Sequence, residues 1–309
     1  MNRRASIPCS WALIALLCAA CPAAAPDAAL ESVTLHVGFG PRSFLGINET
    51  DAEAAYKVFT RSVGHGFGYD VDLIAHKYDS DEALAADAKD GVLHYAVTDV
   101  WSFLEEDLAS HVEPRFLSAR AGREPPDEYL LLVRGDAPCK NVQDLRGRHL
   151  LLLESVDCLY SLLWIRTLTL ENVGETEADF FGKTEVHSNP MDVLLPVFFG
   201  QSDACVATRS CFGTMCELNP QLGRSLRSIA VSEPLAGGLV CLSRQGWKSA
   251  RHRGDMIESL ETLHETPHGR QLLTLFKTDR LVPFEDRFAL GTRALQERLE
   301  RLAIEGGAR

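Results

Sequence analysis

Two stretches of the chain run a buried strand into residues that can do chemistry. In "AKDGVLHYAVTDVWSFL" (residues 88–104), Tyr95-Ala96-Val97 leads to Thr98 and Asp99, with Trp101 just beyond. In "LLPVFFGQSDACVATRS" (residues 194–210), Ala204-Cys205-Val206-Ala207 leads to Thr208, Arg209 and Ser210. Hydroxyls, a carboxylate and a guanidinium at strand ends can hold a small polar ligand. Arg209 is the group placed to pair an anion. Trp101 would wall the pocket or serve as a core aromatic. Arg42 and Ser43 follow the first strand in "GPRSF", and Ser188 follows another. A further cluster is Glu154, Ser155, Asp157 and Cys158. Here Ser155 and the free N–H groups near Cys158 to Ser161 would form a helix N-terminus that favours an anion. Ser155 or Asp157 could equally just cap that helix, and Glu154 with Asp157 could receive an amine.

A catalytic reading needs a nucleophile. Cys158 at a helix start would have a lowered pKa, with His187 or His149 as its base. No spacing rule places either histidine. The sequence holds no Gly-x-Ser-x-Gly, P-loop, His-Glu-x-x-His or dinucleotide glycine pattern in the right context. "GHGFGYD" follows a helix, so it reads as a turn.

These residues need elements to position them. Val33 to Phe39 alternates and is β-branched, a strand. Asp51 to Val63 reads as a helix capped by Thr50 or Asp51. Tyr69 to His76 is a second strand, the acidic run from Asp79 starts a second helix, and Leu93 to Val97 is a third strand. That β-α-β-α-β order implies a parallel sheet covered by helices. A loop spans residues 119–129. The pattern then restarts, with strands at Tyr129 to Arg134, His149 to Leu153, Thr184 to His187, Cys205 to Ala207, Leu226 to Ser232 and Leu239 to Ser243. Helices are expected at Leu159 to Asn172, Met191 to Phe199 and Ser210 to Leu218. Three more follow, at Trp247 to Leu263, Pro267 to Leu275 and Leu290 to Leu302. The two opening stretches share one layout: a helix, a glycine (Gly91, Gly200), a buried strand, a polar end. Two similar α/β lobes would put those polar ends face to face at sheet edges, where open α/β sheets bind ligands. Two ordinary βα units that merely look alike are the alternative.

The 309 residues suit one large or two ordinary domains, and 46% apolar with 24% charged residues is a soluble globular composition. A net charge of -12 argues against nucleic acid as a partner. It does not forbid an anionic ligand, because a pocket's local field can oppose the net charge. Residues 1–26 read as a signal peptide: Arg3 and Arg4, the apolar "WALIALLCAA", then small residues. Cys18-Ala19-Ala20-Cys21 resembles a lipobox with Cys18 where Leu is usual, so a lipid on Cys21 and a soluble periplasmic form both stand. Of nine cysteines, six lie past the export segment, at 139, 158, 205, 211, 216 and 241. They could pair in an oxidising periplasm, while Cys205 and Cys241 read as small buried apolar residues. No Cys-x-x-Cys pair or ordered histidine partner points to zinc, and no cofactor is expected.

"NVQDLRGRHLLLLES", "DVLLPVFFGQSDACVAT" and "IAVSEPLAGGLVCLSR" resemble elements of type 2 periplasmic solute-binding proteins. The chain most resembles the phosphate, phosphite and phosphonate binders of ABC transporters. That resemblance runs from about Val33 to about Phe276. It implies an α/β, two-lobed periplasmic-binding-protein type 2 architecture with two hinge crossovers, near residues 128–135 and 231–240. The first lobe would comprise residues 32–128 and 234–309 and the second 136–230, closing on ligand by a hinge. Tyr129 and Glu233 would lie near the hinge and could bridge the lobes. The function implied is capture of a small polar, anionic ligand and delivery to an ABC-transporter permease, without catalysis. Alternatives on the same fold are a ligand-sensing partner of a membrane signalling receptor and a cysteine-dependent enzyme. One departure matters: the family's Ser/Thr-rich turn after the second-lobe strand is here Glu154-Ser155-Val156-Asp157-Cys158.

Overall fold

Long apolar runs without alternation, such as Leu150 to Leu153, suit strands covered on both faces. Tyr69 to Lys77 alternates instead, with Asp70 and Asp72 exposed between the buried Tyr69, Val71 and Leu73, as an edge strand with one open face should. The computed structural model describes residues 29–120, 125–155 and 158–307. The expected leader, with Cys21, and Asp157 lie outside the described residues.

The chain first lays down β1 (Glu31–Phe39), α1 (Glu49–Gly66), β2 (Tyr69–Lys77), α2 (Asp81–Lys89) and β3 (Tyr95–Asp99). Short helices α3 (Val100–Leu104) and α4 (Glu106–Ala109) precede β4 (Val112–Ala119). The second unit has β5 (Tyr129–Arg134), β6 (His149–Leu153), α5 (Ser161–Val173), α6 (Glu177–Phe180), β7 (Lys183–His187) and α7 (Pro190–Phe198). It ends with β8 (Ala204–Thr208), α8 (Arg209–Leu218), α9 (Pro220–Ser225) and β9 (Leu226–Val231). The chain then returns through β10 (Gly238–Ser243), α10 (Ala250–Glu261), α11 (Pro267–Leu275), β11 (Arg280–Pro283) and α12 (Asp286–Gly307).

Two sheets result, ordered β11-β4-β10-β3-β1-β2 and β7-β6-β8-β5-β9. In the first, β1 runs parallel to β2 and β3, while β10 lies antiparallel between β3 and β4. In the second, β6 runs parallel to β7 and β8, while β5 lies antiparallel to β8 and β9. Each sheet thus takes one antiparallel strand from chain arriving out of the other. The two crossings touch: Asp127 N donates to Leu235 O (3.0 Å) and Leu235 N to Asp127 O (2.7 Å). This is the two-lobed, twice-crossed architecture expected from the sequence. Gly91 and Gly200 both stand at positive φ, +70° and +72°, between the preceding helix and β3 or β8. Their shared role explains why the chain writes that phrase twice.

The structure differs from the sequence reading in places. The cap of α1 is Asn48, whose side chain accepts from Asp51 N, so neither Thr50 nor Asp51 caps. Strands β4 and β11 were not expected. All six described cysteines are free thiols, and Cys205 and Cys241 are fully buried.

Three histidines form a row across β1, β2 and the approach to β3. His36 Nδ1 lies 2.9 Å from His76 Nε2, and His94 Nδ1 accepts the backbone N–H of His36 (3.0 Å). An accepting nitrogen carries no proton, so the row works only while largely neutral. Burial, then the neighbouring histidine, holds His36 and His94 below the usual histidine range; Asp72 opposes this at His36, and His252 adds to it at His94. The unfolded chain therefore binds more protons below its ordinary value of about 6.5. The row's contribution to stability is complete above that value and is lost as pH falls from it through the lower folded values. Urea midpoints should drop between pH 7.5 and 5, and His94→Asn, which keeps an acceptor but cannot titrate, should flatten part of the slope. An equal slope in both proteins would refute this.

Candidate functional site in the interlobe cleft

Between the sheets lies a cleft of about 670 Å³. Its walls include eight of the residues singled out from sequence: Arg42, Ser43, Thr98, Tyr129, Ser155, Ser188, Arg209 and Ser210. They come from strand ends and the turns after them in both lobes. The lobes meet at its lip, where a Cβ on Gly46 would fall 3.1 Å from Ser188 Cβ.

The other candidates are placed differently, and the reason is helix capping. Asp99 and Thr208 end β3 and β8, but each caps the following helix: Asp99 accepts from Ser102 N and Thr208 from Cys211 N. Both are buried and neither lines the cleft. Trp101 packs against the second lobe's core, and its backbone N–H donates to Tyr160 Oη (3.2 Å), so it joins lobes instead of walling the pocket. Glu233 is turned outward and pairs with Arg298 on α12. Tyr129 Oη accepts from Tyr160 N, a bond within the second lobe and not between the lobes.

The turn at Glu154 departs furthest from expectation. Helix α5 starts only at Ser161, behind Tyr160, whose side chain makes no capping bond. Ser155 and Cys158 pair through their backbones instead. The Glu154 carboxyl lies near enough to the Leu162 amide to feel it, so the protein's own acid sits by the α5 N-terminus. Burial raises its pKa above the usual carboxylate range, although the Leu162 amide and Arg42 pull the other way. Asp127 does the same for α8: its Oδ2 accepts from Ser210 N (3.2 Å), its Oδ1 from Glu128 N (2.8 Å). Two helix ends of the second lobe are thus met by the protein's own carboxylates. A ligand anion would have to be held by side chains.

Two of the predicted cations are engaged. Arg42 donates to Asp99 Oδ2 (2.7 Å), Asp81 Oδ2 (3.1 Å) and Ser102 Oγ (2.7 Å). Burial works against its charge, but Asp99 and Asp81 more than offset this and raise its pKa above the ordinary arginine value. Arg209 pairs with Glu128. The cleft also holds cations that sequence reasoning missed, Arg120 and Lys277, beside Ser118 and Thr278. Arg120 Nε donates to Lys277 O (2.8 Å). Lys277 has φ +51°, the one non-glycine residue at positive φ among those described. It closes α11: Lys277 N bonds Thr274 O (3.1 Å) and Thr278 N bonds Leu273 O (3.0 Å). This turn ordinarily takes glycine at that position. A lysine is held there at a backbone cost, with its ammonium close to Gly46 at the cleft lip. With no glycine there, nothing in the residue types marks the turn.

Cys158 does not have the lowered pKa expected. The thiol is fully buried, 3.0 Å from Ser161 Oγ, and burial pushes its pKa well above the usual thiol range. His149 and His187 both face Glu185.

A family model for the periplasmic substrate-binding protein of phosphonate ABC transporters matches residues 46–287. No curated protein matches the sequence. Solved structures share the fold at low identity. XAC2383 from Xanthomonas citri bound to ATP matches at 13% identity and TM-score 0.59, over 87% of this chain and 98% of that one. A binding-protein component of an ABC phosphonate transporter from Pseudomonas aeruginosa gives 13% identity and TM-score 0.57, over 88% of each chain. PhnD1 from Prochlorococcus marinus in complex with methylphosphonate gives 13% and 0.54, over 86% of this chain and 98% of that one. With the twice-crossed sheets and the cleft between them, the family match is conclusive: this chain belongs to the phosphonate periplasmic substrate-binding family of ABC transporters.

Proposed function

We propose that the protein captures a small polar anion, phosphate- or phosphonate-like, in the interlobe cleft and delivers it to an ABC-transporter permease. The observation that carries this reading is Lys277: a strained lysine at the cleft lip, near Ser188, Arg120 and Thr278. In this reading Ser43, Ser155, Ser188 and Ser210 supply hydroxyl contacts and Arg209 and Arg120 supplementary charge. Glu154 and Asp127 exclude the ligand from the helix ends. Residues 1–26 act as the leader for export to the periplasm, with a lipid on Cys21 as the alternative that N-terminal mass analysis separates.

The test is calorimetric titration of the mature chain with methylphosphonate, phosphite and phosphate. Lys277→Gly should weaken the tightest of these roughly 10–100-fold, the value of a charge-assisted hydrogen bond. The same variant should gain up to about 1 kcal/mol in stability, because glycine accepts the left-handed backbone. Opposite signs on binding and stability are the signature of a residue kept for its ligand. Unchanged affinity would remove Lys277 from the site, and no heat with any of the three anions would overturn the reading.

A further inference from the structure

The loop between β1 and α1 divides its side chains between the two lobes. Three consecutive residues tie it to the first lobe. Arg42 pairs with Asp99, Ser43 Oγ donates to Val97 O (2.8 Å), and the Phe44 ring packs on Phe39, 4.9 Å between centroids. Phe44 also meets Phe276, the residue before Lys277, at 6.1 Å. The next two residues reach the other way. Leu45 packs, half-buried, against the second lobe's apolar core. Gly46 stands at φ +70°, and a Cβ there would lie 3.1 Å from Ser188 Cβ and 3.4 Å from Lys277 Nζ.

Ser188 and Lys277 both line the cleft, so this contact borders it. Seating Leu45 removes apolar surface from water. At Gly46 even a first side-chain carbon would stand closer to Ser188 than the 3.5–4.0 Å at which two carbons rest, and a larger side chain would have to part the lobes. A loop held this firmly on one side is either seated on the second lobe or lifted from it. When it is seated, Lys277 of one lobe and Ser188 of the other lie at the same spot.

We propose that Leu45 and Gly46 are positioning residues: they form the seam that holds the lobes shut, and they thereby set how long the cleft keeps an anion. Retention of an anion rests on the capture proposed above; the closed seam does not.

X-ray scattering of the ligand-free protein reads the seam. Gly46→Leu and Leu45→Ala should each enlarge the radius of gyration, by on the order of 1 Å on the ~19 Å of a compact chain this long. Gly147→Leu is the control: its φ is +69° and nothing lies within 4 Å of an added Cβ. It carries the same backbone strain, so it should lose stability too yet keep the wild-type radius. Stopped-flow measurements with methylphosphonate read retention. Both seam variants should release it roughly tenfold faster, with association within about threefold of wild type, and Gly147→Leu should release it at the wild-type rate. A Gly46→Leu protein with the radius of Gly147→Leu, or a Leu45→Ala protein with that of wild type, would overturn the seam. Unchanged release from either seam variant would overturn its part in retention. No binding of methylphosphonate, phosphite or phosphate would take that part down with the function proposed above, while the radii alone still decide the seam.

Discussion

Asp99→Ala should cost about 3–5 kcal/mol of unfolding free energy, among the largest effects of any single substitution in the first lobe. Asp99 is 1% exposed and accepts five hydrogen bonds. Two come from Arg42, two from Ser102, and one from Tyr160 Oη at 3.0 Å. Tyr160 is itself fully buried and belongs to the second lobe, so the bond joins the lobes behind the cleft. Burial, reinforced by Asp99, raises the Tyr160 pKa well above the phenol range, so the tyrosine stays a donor. Deleting the carboxylate strips a half-buried guanidinium of its main partner, uncaps α3 and cuts the interlobe bond together. Asp99→Asn keeps an acceptor for Tyr160 and for Ser102 N, and should recover part of the loss. The double variant Arg42→Ala/Asp99→Ala should be more stable than additivity predicts, because the unpaired charge is gone too. Urea unfolding reads all of these. A loss under about 1 kcal/mol for Asp99→Ala would mean the network is solvated and not structural. Tyr160→Phe removes both interlobe bonds of the Tyr160 hydroxyl, to Asp99 and from Trp101 N: it should cost about 2–3 kcal/mol and enlarge the radius of gyration of the ligand-free protein in X-ray scattering.

That network also shows where the sequence was readable. Buried strands such as Leu150 to Leu153 and Ala204 to Ala207 announce themselves by composition, because a doubly covered strand has no polar face to confuse the pattern. Strand β4 hides because Pro114 and the charged Glu113 and Arg115 break its pattern. The sheet absorbs them with a register shift between Val240 and Cys241 that leaves Arg115, next to Pro114, without a partner in the register. At the site, sequence locates strand ends but not the direction of each side chain. Thr98 and Asp99 are neighbours, yet one lines the cleft and the other caps a helix. The same holds for Ser210 and Thr208. Capping is decided by the first helical turn after the strand, and a strand-end Asp or Thr serves either role equally well on paper. Lys277 is the opposite case: its role depends on a left-handed turn that a lysine does not advertise.

Gly291→Ala should cost about 2–4 kcal/mol although it adds one methyl group to a helix. The reason is contact between α12 and the second crossing. A Cβ at position 291 would stand 2.0 Å from Pro234 O and 3.0 Å from Pro234 C, and a backbone carbonyl has nowhere to go. Around it, Thr292 Oγ1 accepts from Ala236 N (3.2 Å) and donates to Ala236 O (3.3 Å). Leu295 is fully buried in the second lobe's core, and Arg298 pairs with Glu233 on the crossing and Glu171 on α5. Helix α12 thus clamps the second crossing between the lobes. Lifting it by the width of a methyl group weakens every one of these contacts. Gly254→Ala on α10 is the internal control: nothing lies within 4 Å of its added Cβ, so helix propensity alone should make it stabilising by up to about 1 kcal/mol. Identical substitutions with opposite signs, read by urea unfolding, would locate the effect at the crossing. If the two variants behave alike, α12 is not seated on the hinge as the structure has it. The same pair bears on function, because a loosened clamp lowers the cost of lobe opening. Gly291→Ala should therefore speed ligand release in stopped-flow measurements while Gly254→Ala leaves it unchanged.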